Sequence, residues 1–315
     1  MTNAKKAIIA VALGNSIFGF SFLFSRIALD YAIPSLMVAM RFTTAFIVMN
    51  IIVCAGTLIK KRDGNPLIRF SLRGKPVKYV LLLALFQPIL YFIGESYGIK
   101  LTSSAFSGTI IAVIPIMGVV FDIIIMHAKV SRRQIICAVV SVIGVIITTL
   151  GAQDMHYSLV GILMLFLAVV AGALFYVFSK KAGEHYNPLE RTYVMFGSAT
   201  IFFVIFAAIQ CAGNYREMIM PALTSGQFWI AIIYLAIFAS VTAFMLLNYG
   251  NSYISVSKAS IFVNLTTVIS IVAGVVLLGE SFSVQQVVGA VIIIISVYIS
   301  SIENSKGENK NADKK

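Results

Sequence analysis

The stretch SRRQIICAVVSVIGV, residues 131–145, returns in altered form as SVQQVVGAVIIIISV at 283–297. A shift of 152 residues sets Ser131 on Ser283, Gln134 on Gln286, Ala138-Val139 on Ala290-Val291 and Val145 on Val297, without a gap. The same shift sets Tyr97-Gly98 on Tyr249-Gly250. Nearer the N-terminus a shift of 154 sets Phe24-Ser25-Arg26 on Phe178-Ser179-Lys180, and Pro34 on Pro188. The chain thus reads as two copies of one unit, 1–152 and 153–302. The polar, charged tail at 303–315 is expected to be disordered.

The unit is a membrane unit. The 315 residues are 59% hydrophobic and only 11% charged, with a mean hydropathy of +0.96. A soluble chain carries about 25% charged residues. A bilayer core of ~30 Å needs about 20 apolar residues in a helix. Ten runs fit: 7–29, 36–59, 79–98, 105–126, 134–150, 159–179, 192–212, 228–250, 259–278 and 284–302. The expected fold is an all-α polytopic membrane protein of ten transmembrane helices. With five helices per copy, an odd number, the second copy enters the membrane from the opposite side.

The charges agree with that inversion. KVSRRQ at 129–134 corresponds to SFSVQQ at 281–286, where every base is gone. DYAIPS at 30–35 corresponds to EHYNPL at 184–189, just after Lys180-Lys181. With the N-terminus in the cytoplasm, 20 of the 24 Lys and Arg fall on the cytoplasmic side. Arg26, Arg41, Lys100 and Arg216 are the exceptions. This is the positive-inside pattern, and it places both termini in the cytoplasm of a cell-membrane protein. The net charge of +12 is therefore topology rather than a nucleic-acid footprint. The basic segment 60–78 is either a solvated loop or a patch for anionic lipid. Cys54, Cys137 and Cys211 show no metal or disulfide spacing, and the three histidines fall in loops. No cofactor or metal is expected.

Inverted repeats are typical of secondary transporters, whose substrate sites lie near the midplane where the repeats meet. A catalytic role is not expected: neither a G-x-x-x-x-G-K-[ST] loop nor an H-E-x-x-H helix is present, and no G-x-S-x-G elbow is expected. A non-transporting receptor or scaffold would need no inverted repeat.

Candidate site residues lie on polar faces within apolar runs. In lipid such faces turn toward the bundle or a watery cavity. The third run sets Gln87, Tyr91 and Glu95 at i, i+4 and i+8, on one helix face. Pro88 and Gly94 make that helix easy to bend or interrupt. The ninth run offers Ser257, Ser260, Asn264 and Thr267, then Gly274. The fourth offers Ser104, Gly108, Pro115, Gly118 and Asp122, the first Asn15, Gly19 and Arg26, and the eighth Asn248 and Tyr249. The asparagines are either substrate contacts or interhelical glue. The glycines read as helix-contact positions. Asp122 either functions or faces the headgroups. Ser131/Gln134 and Ser283/Gln286 each have the spacing of a helix capping box.

Glu95 is the costly residue, since a carboxylate at a helix centre costs ~2.5–3.5 kcal/mol on insertion scales. At 1.5 Å per residue it lies ~7 Å below Lys100, and Arg41 lies ~8 Å below Leu36. Arg26 is near the outer end of the first run, so the three ionisable groups share the outer third of the membrane. Three readings stand: an ion pair of Glu95 with Arg41 or Arg26, a substrate or gate charge, or a proton carrier. Leu247 replaces the acid at the matching position of the second copy.

LLGESFSVQQVVGAVIII at 277–294 resembles the second-repeat signature of EamA-type transporters in the drug/metabolite transporter superfamily. TSSAFSGTIIAVIPIMGVV, from 102, FGFSFLFSRIAL at 18–29 and AIPSLMVAMRF at 32–42 also look like that family. The resemblance covers about residues 7–302. It implies two inverted five-helix repeats and secondary transport of small metabolites, often amino acids or related solutes and frequently outward. The partners it implies are a small-molecule substrate and the lipid bilayer, in a monomer or homodimer. Multidrug efflux is the alternative, and would favour an aromatic, weakly polar cavity. The chain departs from the pattern at His127-Ala128, where Gly-Glu is expected, and at Thr267, where Pro is common. Glu280 is therefore read as part of an interfacial turn.

Overall fold

The computed structural model describes residues 3–59, 68, 70–126, 132–151, 158–251, 253 and 262–312, and among these there is no strand. The helices are α1 (Asn3–Leu29), α2 (Pro34–Leu58), α3 (Val77–Leu101), α4 (Ser104–Ile111 and Ile114–Met126) and α5 (Arg132–Leu150). They continue with α6 (Leu159–Gly183), α7 (Pro188–Cys211), α8 (Gly226–Gly250), α9 (Val263–Val272 and Ala273–Leu277) and α10 (Val284–Ala312). A short helix, Tyr215–Thr224, joins α7 to α8.

Six of these, α1, α2, α3, α6, α7 and α8, carry apolar stretches of 24 or 25 residues. At 1.5 Å per residue that is ~36 Å, more than a ~30 Å hydrocarbon core. Where the other four spans are expected, the described residues hold shorter apolar helices, Ser104–Gly118, Ile135–Thr148, Leu265–Leu277 and Val284–Ser296. Leu58, Ile201 and Val276 are 79%, 67% and 71% exposed. Water would not tolerate so many outward apolar side chains, but lipid does. The chain is an all-helical, multi-pass membrane protein.

The helices meet in a regular scheme. α2 packs on α7, α4 on α9, and α5 on α10. α1 packs on α8 as α6 does on α3, α1 on α9 as α6 does on α4, and α2 on α8 as α7 does on α3. Exchanging each helix for the one five places along turns every one of these pairs into itself or into another of the set. Small residues allow the closest approaches. A Cβ on Gly19 would lie 2.6 Å from Ile269 Cβ of α9. Gly118 differs from the expected contact role, since no described residue lies within 4 Å of a Cβ placed there.

Several helices depart from their expected extents. α7 begins at Pro188, four residues before the apolar run, because Asn187 and Glu190 form a capping box over its first turn. α10 stays helical to Ala312, through most of the tail expected to be disordered. An established helix propagates at little cost once nucleated. α4 is interrupted at Ala112–Val113. Pro115 explains the break: it lacks an N–H, and its ring would clash with the carbonyl of Ile111.

α3 also breaks, at Gln87, whose φ of −143° and ψ of 119° are extended. A residue before proline is pushed from helix to extended backbone, so Pro88 accounts for it. Gly94 does not bend the helix. It lies in the regular segment Tyr91–Leu101, and a Cβ there would meet Ala168 N of α6 at 2.7 Å. α8 widens to π-type turns over Tyr234–Thr242, the stretch that matches the α3 break in the other half. Such wide turns are enriched at functional sites.

Candidate functional site

The break in α3 delivers its polar face to a cavity. Gln87, Tyr91 and Glu95 all line a space of about 560 Å³, counted with its mouth. Asn15 and Ser21 of α1 join them. Asn15 donates Nδ2 to the Val11 carbonyl at 2.8 Å, and its own carbonyl accepts from Thr266 Oγ1 at 2.9 Å. It is both a cavity residue and glue between α1 and α9. The rest of the wall is largely aromatic: Phe18, Phe22, Phe92, Phe175, Tyr176 and Phe244.

The lining follows the repeat. At a shift of 154, Phe18 matches Gly172, Ser21 matches Phe175, and Phe22 matches Tyr176; all six line the cavity. At a shift of 152, Phe92 matches Phe244, Glu95 matches Leu247, Ile111 matches Val263, and Ile114 matches Thr266; these line it too. Only Asn15, Gln87 and Tyr91 lack a matching lining residue among those described. The two halves therefore present the same backbone positions to one space, with different side chains.

Glu95 is 1% exposed, and its Oε2 has no hydrogen-bond partner among the described residues. Of the three readings of Glu95, the direct ion pair with Arg41 or Arg26 is not made among the described residues. Arg41 is fully buried and acts electrostatically on Glu95 and Tyr91, but the two charges are more than 4.0 Å apart. Arg41 donates Nε to Ser240 Oγ at 2.9 Å and Nη2 to the Ala239 carbonyl at 3.5 Å. Its guanidinium also sits 4.3 Å from the Phe92 ring centroid. The wide turns of α8 supply both of its oxygen partners, so its hydrogen bonds go to α8 while its guanidinium lies over Phe92 of α3. Arg26 donates Nη1 to the Ile99 and Lys100 carbonyls at 3.3 and 3.5 Å. These are free carbonyls in the last turn of α3, and a cation is favoured there.

The other expected site residues fall elsewhere. Asn248 is buried and donates to Thr192 Oγ1 at 2.9 Å, joining α8 to α7 outside the cavity lining. Thr267 donates to the Gly108 carbonyl at 3.1 Å and fastens α9 to α4. Its neighbour Thr266 faces the cavity, because Thr267 is turned onto α4. Ser260, like Ser257 and Ser131, lies outside the described residues, as do the side chains of Asn264 and Asp122. The aromatic wall was not singled out from sequence.

Polar ties close the ends of the bundle. Glu280 accepts from Ser104 N, Ser104 Oγ and Ala105 N, each at 2.9 Å. Ser103 Oγ accepts from Phe106 N at 3.2 Å, so the first turn of α4 is capped from two sides. Glu280 is thus a cross-half helix cap. Ser283 and Gln286 form the expected capping box, with Ser283 N to Gln286 Oε1 at 2.8 Å and Gln286 N to Ser283 Oγ at 3.3 Å. Glu190 accepts from Asn187 N and Ser71 N at 3.0 Å, and pairs with Lys75. One enzyme-like spelling is present, Gly94-Glu95-Ser96-Tyr97-Gly98. A nucleophile elbow needs a strand-to-helix turn, whereas this segment is helix interior.

The EamA-like transporter family model matches the chain twice, at residues 5–150 and 159–302. The chain belongs to this family, and it is a membrane protein of a transporter class. It is similar to an uncharacterized transporter of Bacillus subtilis (strain 168), YcxC, with 34% identity over 95% of this chain and 94% of that protein. It is also similar to an uncharacterized transporter of Archaeoglobus fulgidus, with 22% identity over 93% and 98% of the two chains. A solved crystal structure shares the fold with a TM-score of 0.66, at 17% identity, over 96% of this chain and 99% of the other.

Proposed function

We propose that this chain is a secondary transporter of the cell membrane, moving a small organic solute by alternating access. The observation that carries this is the cavity wall, drawn from matching positions of the two halves. A site at the repeat interface is what rocking of one half against the other exposes to each side in turn. The reading takes ten spans in two inverted five-helix repeats, 1–152 and 153–302, with both termini in the cytoplasm. The two family matches, the exchange pattern of helix pairs and the loop charges support it.

The direction proposed is export. In this orientation Tyr31 to Gln227, Ser35 to Gln210, and Glu280 to Ser104 and Ala105 all lie on the outer side. Ser71 and Lys75 to Glu190 join the halves on the cytoplasmic side as well, so the direction rests on the family likeness, with the outer ties consistent with a state that loads from the cytoplasm. The aromatic lining favours a second reading, efflux of drug-like amphiphiles, because flat apolar surfaces accept many ring systems.

The test is counterflow in proteoliposomes with any solute that raises the thermal unfolding midpoint of the purified protein. Exchange of such a solute is expected, and binding without exchange would remove the transport reading. Reporter fusions after residues 31, 100, 154, 215 and 281 are expected outside, and those after 65, 130, 185 and 310 inside. A reversed pair at 31 and 185 would sink the inverted topology.

A further inference from the structure

We infer that the solute is a monovalent organic cation with an apolar, ring-sized body, its ammonium held by Glu95. The inference rests on the cavity being the transported solute's site. Three observations carry it. The first is the carboxylate. Glu95 lines the cavity, is 1% exposed, and has an Oε2 with no hydrogen-bond partner among the described residues. A buried carboxylate oxygen without a donor is costly, and a ligand N–H would supply the missing bond.

The second is the place of the nearest cation. Arg41 donates to Ser240 Oγ and the Ala239 carbonyl and lies over the face of Phe92, while its Nη1 has no partner among the described residues. It stands outside the cavity lining, held there by two dipoles and a π-face. Arg41 therefore balances Glu95 through space without occupying its oxygens. Among the described lining residues there is no Lys, Arg or His. A carboxylate on the ligand would find no positive partner on that wall, so an amino-acid zwitterion fits less well than the corresponding amine.

The third is the aromatic wall. Phe18, Phe22 and Phe92 of the first half and Phe175, Tyr176 and Phe244 of the second line the same space as the single carboxylate among the described lining residues. An amphiphile with one charged end fits this lining. Its head lies at Glu95 and its body against the rings. Aromatic faces also attract a cation's flanking CH groups.

The experiment is a four-ligand series on the full-length purified protein, read by thermal unfolding: 2-phenylethylamine, phenylalanine, 3-phenylpropionate and 2-phenylethanol. These share a ring and differ in charge. The amine is expected to bind about tenfold or more tighter than the alcohol, the scale of one charge-assisted hydrogen bond, and tighter than both carboxylates. Phenylalanine or phenylpropionate matching the amine would overturn the inference, as would an amine that produces no shift. Glu95→Gln is expected to remove the amine's advantage over the alcohol, and an unchanged advantage would also overturn it. Should that variant not fold, the ligand series on the unaltered protein decides alone. Counterflow of 2-phenylethylguanidinium, which stays charged and does not leak, separates the two readings. Amine binding without exchange removes transport and keeps the charge assignment. Exchange of phenylalanine without exchange of the cation keeps transport and removes the assignment.

Discussion

At residue 95 the first half puts a carboxylate against the cavity; at the matching position the second half puts Leu247. The same contrast recurs at Ser21 and Phe175. Arg41 has Met195 as its counterpart at the shift of 154, and both are fully buried. One half thus holds a separated acid and base where the other holds apolar side chains in the same scaffold. The backbone of a repeat is constrained by helix pairing, which both halves need. The lining is constrained only by the solute, which touches each half differently.

The largest expected effect comes from making the first half resemble the second. Arg41→Met removes the charge that balances Glu95 and leaves Ser240 without its donor. Stranding one buried charge costs ~3–5 kcal/mol where the pair is close. The separation here places the expected loss at or somewhat below that range, read from unfolding of the purified protein. Adding Glu95→Leu removes the stranded acid, so the double variant is expected to regain at least half of the lost stability. Transport is expected to stay absent. An additive cycle, with no recovery, would show that the two charges do not act on each other.

Much of the fold was legible in the chain because lipid selects long apolar helices, whereas which helices pack together was not read from it. The polar face of α3 was legible too: Gln87, Tyr91 and Glu95 at helical spacing reach one cavity. The aromatic wall was not. In a soluble helix the apolar stripe marks the inside, but here lipid-facing and core-facing sides are both apolar. Nothing in the composition separates Phe175, 5% exposed, from Phe238, 49% exposed. The choice between Thr266 and Thr267 is one step of helix rotation, about 100° at 3.6 residues per turn, and only packing on α4 decides it. Arg41's partner was hidden because the wide turns of α8 leave no mark in a run of apolar residues.

The halves also differ at one close helix contact. Gly94 has Leu246 as its counterpart, and a Cβ on Gly94 would lie 2.7 Å from the backbone Ala168 N of α6. Gly94→Ala is expected to cost ~1–3 kcal/mol, since backbone cannot move aside as a side chain does. Gly118→Ala, with no described residue within 4 Å, is the control and is expected to be neutral. A neutral Gly94→Ala would mean that α3 and α6 separate easily.

Next in size is the turn after α9. Glu280 caps α4 of the first half, while its counterpart Ala128 has no acid to return. Glu280→Gln keeps one acceptor and loses the charge on three hydrogen bonds, for an expected ~1–2 kcal/mol. The unfolding midpoint reads the loss directly. A variant as stable as the original would place those N–H groups in contact with water.

The smallest effect separates two helix starts. α2 and α7 both begin at a proline, but α2 follows Ile33 with no side-chain cap, while α7 has the Asn187–Glu190 box. Lys75 adds the ion pair to Glu190. Glu190 already accepts from two backbone N–H groups, so the lysine is an addition to a satisfied carboxylate. Its side chain is 26% exposed, which lets water and salt screen it. Lys75→Ala is therefore expected to cost less than ~1 kcal/mol, and less still at high salt. A loss equal to that of Glu280→Gln, unchanged by salt, would make Lys75 part of the cap itself. The contrast between the two helix starts would then lie in the loop after α2 as much as in Asn187.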